Sequence, residues 1–212
     1  MSLSRIVLGM QSFRCSEALI GGLYGVEFTR IGYTGGIEPH PCYLHIGDHT
    51  EVVEVNYNKR IISLSDILRV FFENHDYTMP LPKRYASSIF FTESSQYDEA
   101  ASFMRTRLSY PAVTRLSPLV TYHDAEHMFH KYYLQNTPTV MLQLLYEYNW
   151  DWKTWFSEFN ILPFVTKMNA ALSGLFPPEY VLRILDSINI PDSIKRECKL
   201  RASHIHPQCI LM

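Results

Sequence analysis

Through its first 135 residues the chain alternates short apolar runs with helical patterns, and beyond Asn136 the strand pattern does not return. Residues 3–9 read as a buried strand, residues 16–23 as a helix, and residues 26–32 as a second strand closed by Tyr33-Thr34-Gly35-Gly36. Glu51 to Tyr57 alternates with period 2, so Glu51, Val53, Val55 and Tyr57 share one face of a third strand. Ser63 or Ser65 can cap a helix running to about residue 74, with Ile67, Leu68, Phe71 and Phe72 as its apolar stripe. A proline-containing loop, a strand at 87–92, a helix from Ser94, a short strand at 119–121 and a helix over 124–135 complete this part. Strands interleaved with helices predict a mixed sheet with helices packed on it. Residues 138–202 predict a helical extension interrupted at Pro163, Pro177-Pro178 and Pro191. The expected organisation is a domain over 1–136, a helical extension over 137–205 and a flexible tail over 206–212.

At 212 residues the chain can bury a sizeable core. Its formal net charge of −2 argues against a nucleic-acid partner, which needs a concentrated excess of Lys and Arg. No apolar run is long enough to span a bilayer, and no basic segment followed by an apolar stretch marks a secretory leader. The four cysteines, Cys15, Cys42, Cys198 and Cys209, are irregularly spaced and do not form a secreted disulfide framework. A reducing, cytoplasmic setting is the expectation.

Three places can carry chemistry. Ser12 and Cys15 follow a strand and open a helix, where unpaired backbone N–H groups favour a developing anion and lower a thiol pKa. Glu51 lies on the apolar face of its strand. Desolvation there raises a carboxyl pKa and suits a general acid, unless the side chain reaches water at the strand end. His123, His127 and His130 would share a helix face, but no Cys or carboxylate completes a zinc site, and His204 with His206 near Cys209 is no stronger. No metal and no cofactor is expected. The terminus Cys209-Ile210-Leu211-Met212 has the form of a farnesylation signal in a eukaryotic cytosol, or is an ordinary tail bearing a thiol. One prenyl chain without a basic patch gives only marginal membrane binding.

Taken together, the segments resemble the peptide methionine-S-sulfoxide reductase family, the A-type enzymes. The family's Gly-Cys-Phe-Trp register reads Gln11-Ser12-Phe13-Arg14 here, with Cys15 and Glu17 following. Gly25-Val26 and Gly32-Tyr33-Thr34-Gly35-Gly36 are similar to Gly-Val and Gly-Tyr-Ser-Gly-Gly segments. Gly47-Asp48-His49-Thr50-Glu51 resembles Gly-His-Ala-Glu, His75-Asp76-Tyr77-Thr78 resembles His-Asp-Pro-Thr, and Arg84-Tyr85-Ala86-Ser87 resembles Gln-Tyr-Arg-Ser. Ala125-Glu126 and Tyr132-Tyr133-Leu134 match the end of the domain, and residues 169–190 resemble an extension carried by some members.

The resemblance implies an α+β fold with a ferredoxin-like core, a mixed sheet flanked by helices, and an all-helical C-terminal extension. It implies reduction of methionine-S-sulfoxide in which a thiolate attacks sulfur, Glu51 protonates the oxygen, and Tyr33 and Tyr85 hold it. Phe13, Arg14, Asp48 and His49 fall at substrate-binding positions. Cys42, Cys198 or Cys209 would resolve the sulfenic acid, and a thioredoxin-like partner would restore the thiols. The chain departs from the family at the centre of the site. Ser12 stands at the nucleophile position and cannot do sulfur's chemistry, and Arg14 replaces an apolar Trp. Cys15 is the thiol that can stand in. The competing reading is an inactive relative that binds methionine sulfoxide or a protein.

Overall fold

The alternation of the third strand carries directly into three dimensions. In the computed structural model, which describes residues 3–151 and 155–203, strand β1 (Ser4–Gly9) lies between the later strands β3 (Thr50–Tyr57) and β4 (Ser88–Phe91). With β2 (Val26–Thr34), β5 (Arg115–Pro118) and β6 (His123–Asp124) they form a six-stranded sheet in the order β5-β4-β1-β3-β2-β6. All pairings are antiparallel except β4 with β5, which is parallel. The sheet is therefore mixed, and with its flanking helices the fold is of the α+β class.

One face of the sheet presents Ile6, Leu8, Ile31, Tyr33, Val53 and Val55, all fully buried. They pack with helices α1 (Phe13–Gly21) and α2 (Leu64–Glu73), and α3 (Ser94–Arg107) packs against α2. Each large aliphatic side chain removed from water there contributes about 1.5–3 kcal/mol. Helix α2 begins in a reciprocal cap: Asp66 N–H donates to the Ser63 hydroxyl at 3.1 Å, and the Ser63 N–H donates back to the Asp66 carboxylate. The opposite face is smaller and more polar. Val7, Val52 and Phe90 pack under Leu119 and Tyr122. Beside them Glu54 receives Arg5 at 2.6 Å and Arg30 at 3.2 Å, and both guanidinium groups lie over the Tyr122 ring.

The helices after residue 136 gather around a second cluster. It includes Val140, Met141 and Leu144 of α5 (Pro138–Glu147), Val165 and Met168 of α7 (Pro163–Ala171), Ile184 and Leu185 of α8 (Pro178–Asp186), and Ile194 and Cys198 of α9 (Asp192–Ala202). Pro138, Pro163 and Pro178 sit in the first turns of α5, α7 and α8, where a missing N–H costs nothing, so these prolines begin helices rather than break them. Helix α1 belongs to both cores: Phe13, Leu19 and Ile20 face the sheet, and Ala18 joins the helical cluster. Lys167 fastens the two together, its ammonium donating to the carbonyls of Gly21 (2.7 Å) and Leu23 (2.6 Å) at the end of α1. Burial lowers the Lys167 pKa to about 8.

Three readings need correction. The strand expected at 119–121 is instead β5 at 115–118, which joins the sheet edge despite ending in Pro118. The helix expected over 124–135 is replaced by β6, a 3-10 turn (His127–Phe129) and the short α4 (Tyr132–Gln135). Lys131 breaks it with φ of 47°, a left-handed conformation uncommon for lysine, held by a fully buried ion pair with Glu17. His123, His127 and His130 consequently share no helix face. His130 is buried, its Nε2 donating to the Ala125 carbonyl and its Nδ1 accepting from Asn160. The first helix begins at Phe13 rather than Ser16. Among the described residues no helix is long and apolar enough to cross a membrane. Cys209 with its farnesylation-like ending, His204 and His206 lie outside the described residues.

Candidate functional site

The site is built where β2 and β3 end beside the first turn of α1. Antiparallel register sets Tyr33 directly opposite Glu51, and both point to the helix-covered face. The turn from β1 into α1 passes through Gln11, at φ of 64°, and is pinned by Ser16, whose hydroxyl donates to the carbonyls of Met10 (3.0 Å) and Ser12 (2.9 Å). Ser12 caps α1 in extended backbone without a capping bond from its own hydroxyl. Phe13 follows, and its N–H points at Glu51 Oε2 at 3.4 Å.

Glu51 is 2% exposed. Its second oxygen accepts from Arg84 Nε at 2.6 Å. Burial raises the carboxyl pKa, and this outweighs the opposing pull of Arg84, the Phe13 amide and Arg14. The result is a carboxyl that holds its proton above the usual range yet keeps a cation beside it. Tyr33, fully buried, donates to Glu126 Oε2 at 2.8 Å, and burial followed by that bond raises its phenol pKa. Although burial works to raise it, the Glu126 pKa is lowered on balance by the Tyr43 N–H and the Tyr33 hydroxyl, among other contacts. Tyr85 closes a 3-10 turn, half-buried, with the Arg84 guanidinium 5.5 Å from its ring centre.

Tyr43 occupies the middle of this site. Its N–H donates to Glu126 at 2.7 Å and its carbonyl accepts from Arg84 Nη1 at 3.0 Å. The Tyr43 ring lies 4.5 Å from Phe129 and 6.3 Å from Phe13, centre to centre, with Arg84 4.3 Å and Arg14 5.7 Å from its centre. Arg14 also covers Phe129 and Tyr132. The outcome is an aromatic box closed by two guanidinium groups, with a side chain of the protein's own in it. Arg84 Nη2 is buried and has no hydrogen-bond partner among the described residues.

The other expected residues scatter. Cys15 is buried in the first turn of α1, its sulfur 3.4 Å from the Tyr133 hydroxyl of α4. It is disulfide-bonded, whereas Cys42 and Cys198 are free thiols. Asp48 and His49 brace the loop after β2. The Asp48 carboxylate accepts from the Ile37 and Glu38 amides, which with Lys83 lower its pKa to about 2 against what desolvation it feels. His49 bridges the Gly36 N–H and the Glu38 carbonyl. Cys42 starts the tight turn to His45 that carries Tyr43. Cys198 is not a tail thiol: it is fully buried in α9, and burial pushes its pKa up to about 12. Among the described residues no group of His, Cys, Asp and Glu could hold a metal.

The family model described as peptide methionine sulfoxide reductase matches residues 4–154. The chain belongs to the peptide methionine sulfoxide reductase family. A peptide methionine sulfoxide reductase of Drosophila melanogaster is 35% identical over 133 residues, covering 60% of this chain, which spans about half (54%) of that relative. Peptide methionine sulfoxide reductase A5 of Arabidopsis thaliana is 31% identical over 198 residues, covering 88% of this chain and 75% of its own, so that likeness runs into the helical extension. Among solved structures, reduced Mxr1 from Saccharomyces cerevisiae superposes with a TM-score of 0.59 at 22% identity, covering 64% of this chain and 86% of that one, a likeness of fold.

Sequence reasoning placed Glu51, Tyr33, Phe13 and Arg14 in one site. It did not find Arg84 as the partner of Glu51, Glu126 as the partner of Tyr33, or Phe129 as a wall of the box. The Ala125-Glu126 and Arg84-Tyr85 matches were the available signal.

Proposed function

We propose that the protein reduces methionine-S-sulfoxide, free or in proteins, to methionine by thiol chemistry. The observation that carries this reading is the buried Glu51 carboxyl with its raised pKa, set against Tyr33 and the amide that opens α1. Cys15, freed from its disulfide by reduction, supplies the nucleophile. Its thiolate bonds to the sulfoxide sulfur while Glu51 gives its proton to the oxygen; the S–O bond breaks and that oxygen, as hydroxide, adds to the Cys15 sulfur, breaking the S–S bond so that methionine leaves and Cys15 becomes a sulfenic acid. A second thiol then displaces water to form a disulfide, and a thioredoxin-like dithiol reduces it. Arg84 Nη2, buried without a partner among the described residues, supports a donor role toward the sulfoxide oxygen beside Tyr85. Burial holds Cys198 protonated, which leaves Cys42, a free thiol, or the tail's Cys209 as the proposed resolving thiol. Prenylation would exclude Cys209 from that role, and the intact mass from eukaryotic cells separates the two. The setting we propose for this chemistry is the reducing cytoplasm.

The test is turnover of a methionine-S-sulfoxide peptide with dithiothreitol. Activity abolished by Cys15→Ala supports the proposal. Unchanged turnover in Cys15→Ala overturns the role of Cys15. Absence of wild-type turnover together with gain in Ser12→Cys overturns the proposal and shows an inactive relative with an intact pocket.

A further inference from the structure

The sheet has a second cavity on its reverse side, back to back with the candidate site. Alternation along each strand end sets Tyr33 and Glu51 toward α1 and their neighbours Thr34 and Thr50 the other way. Lys83, beside Arg84, joins Thr34 and Thr50 in lining a cavity of about 660 Å³. None of Phe13, Tyr33, Tyr43 or Glu51 lines it, so it is separate from the aromatic box.

Its floor is made by the parallel pair β4 and β5. Their register sets Ser88 beside Arg115 and Phe90 beside Ser117, and all four residues line the cavity. Ser88 is only 1% exposed. Its hydroxyl nevertheless has no hydrogen-bond partner among the described residues, unlike Thr34 and Thr50, which donate to the carbonyls of Thr121 and Lys83. Ser88 lines the cavity, so its unused bonding capacity is available to a ligand there. The Arg115 guanidinium likewise has neither ion pair nor side-chain hydrogen bond among the described residues. Lys83 is held 3.3 Å from Asp48 on the loop. The acid on the wall, Glu38, is turned to His45 at 3.7 Å. Phe90, Pro118 and Val120 give the cavity an apolar wall.

We propose that this cavity is a binding site for a small organic anion, one carboxylate or phosphate group on a flat apolar body. The anionic group bonds Arg115 and the Ser88 hydroxyl, and the body lies against Phe90. The arginine fork matches either oxyanion. The site is independent of sulfoxide chemistry, because it uses no residue of the aromatic box.

Benzoate, phenyl phosphate and neutral benzamide, titrated into the full chain and followed by amide chemical shifts, test this. The expected result is saturable binding of one or both anions, with shifts gathered at Ser88, Arg115, Ser117 and Thr121. Arg115→Ala should weaken it by about tenfold or more and Ser88→Ala by a few-fold, with native amide dispersion retained in both. The carboxylate and phosphate arms identify which headgroup is preferred. Equal binding of benzamide, undiminished binding to a folded Arg115→Ala, or no saturation with either anion overturns the proposal.

Discussion

Arg84 and Glu51, 33 positions apart, meet at 2.6 Å, so the buried acid of this site has a cation as its nearest partner. Removing the cation leaves burial unopposed by its main counterweight. Arg84→Gln is expected to raise the Glu51 pKa further, readable from the carboxyl carbon shift against pH. The sign for stability follows: a carboxyl whose folded pKa exceeds its unfolded value stabilises fully below the unfolded value and loses that contribution as pH rises through the folded one. Arg84→Gln should therefore lose stability relative to the wild type on going from pH 5 to pH 8, by roughly 1–3 kcal/mol in urea unfolding.

Tyr43→Ala empties the aromatic box while leaving the backbone bonds to Glu126 and Arg84 available. We expect tighter binding of methionine sulfoxide, seen as a several-fold lower KM or Kd, at a stability cost of about 1–3 kcal/mol for the lost ring contacts. Unchanged affinity would show that the ring already swings clear of the substrate.

The Glu17–Lys131 pair is fully buried, and Lys131 also donates to the Thr29 carbonyl. Breaking it from one side leaves a charge without its partner, so Lys131→Met should cost about 3–5 kcal/mol. Adding Glu17→Gln removes the stranded charge and keeps an acceptor for the Lys131 N–H, which now bonds Glu17 Oε2. Urea midpoints should show the double variant more stable than Lys131→Met alone.

His130 supplies a pH dependence of its own. Burial first, then the neighbouring Lys131 charge, lowers its pKa to about 2. Below the unfolded value of about 6.5 the unfolded chain takes up a proton that the folded chain refuses. Stability attributable to this residue should then fall as pH drops below about 6.5, by up to roughly 1.4 kcal/mol per unit. In His130→Gln that part of the slope should vanish in unfolding midpoints measured between pH 4 and 7.

What the chain disclosed in advance was what local order encodes. The period of β3 oriented Glu51, and Gly32-Tyr33-Thr34-Gly35-Gly36 identified the strand end opposite it. The misses came from distant contacts. Lys131 leaves a helical pattern because Glu17, more than a hundred residues earlier, binds it in a left-handed conformation. Arg115-Leu116-Ser117-Pro118 has little strand character, and only pairing with β4 makes it one. Arg84 and Glu126 likewise chose partners that no periodicity links to them.

The grip of Lys167 on the end of α1 makes the extension part of the candidate site's foundation. The helix that Ser12 caps, and whose first turn holds Phe13 and Cys15, has its far end closed by an ammonium from α7. Cutting the chain after Asn136 would strip that helix of one of its two hydrophobic supports and uncover carbonyls that now have a donor. Grafting this chain's first 136 residues alone would therefore transplant the site's residues without the mount that keeps them in place.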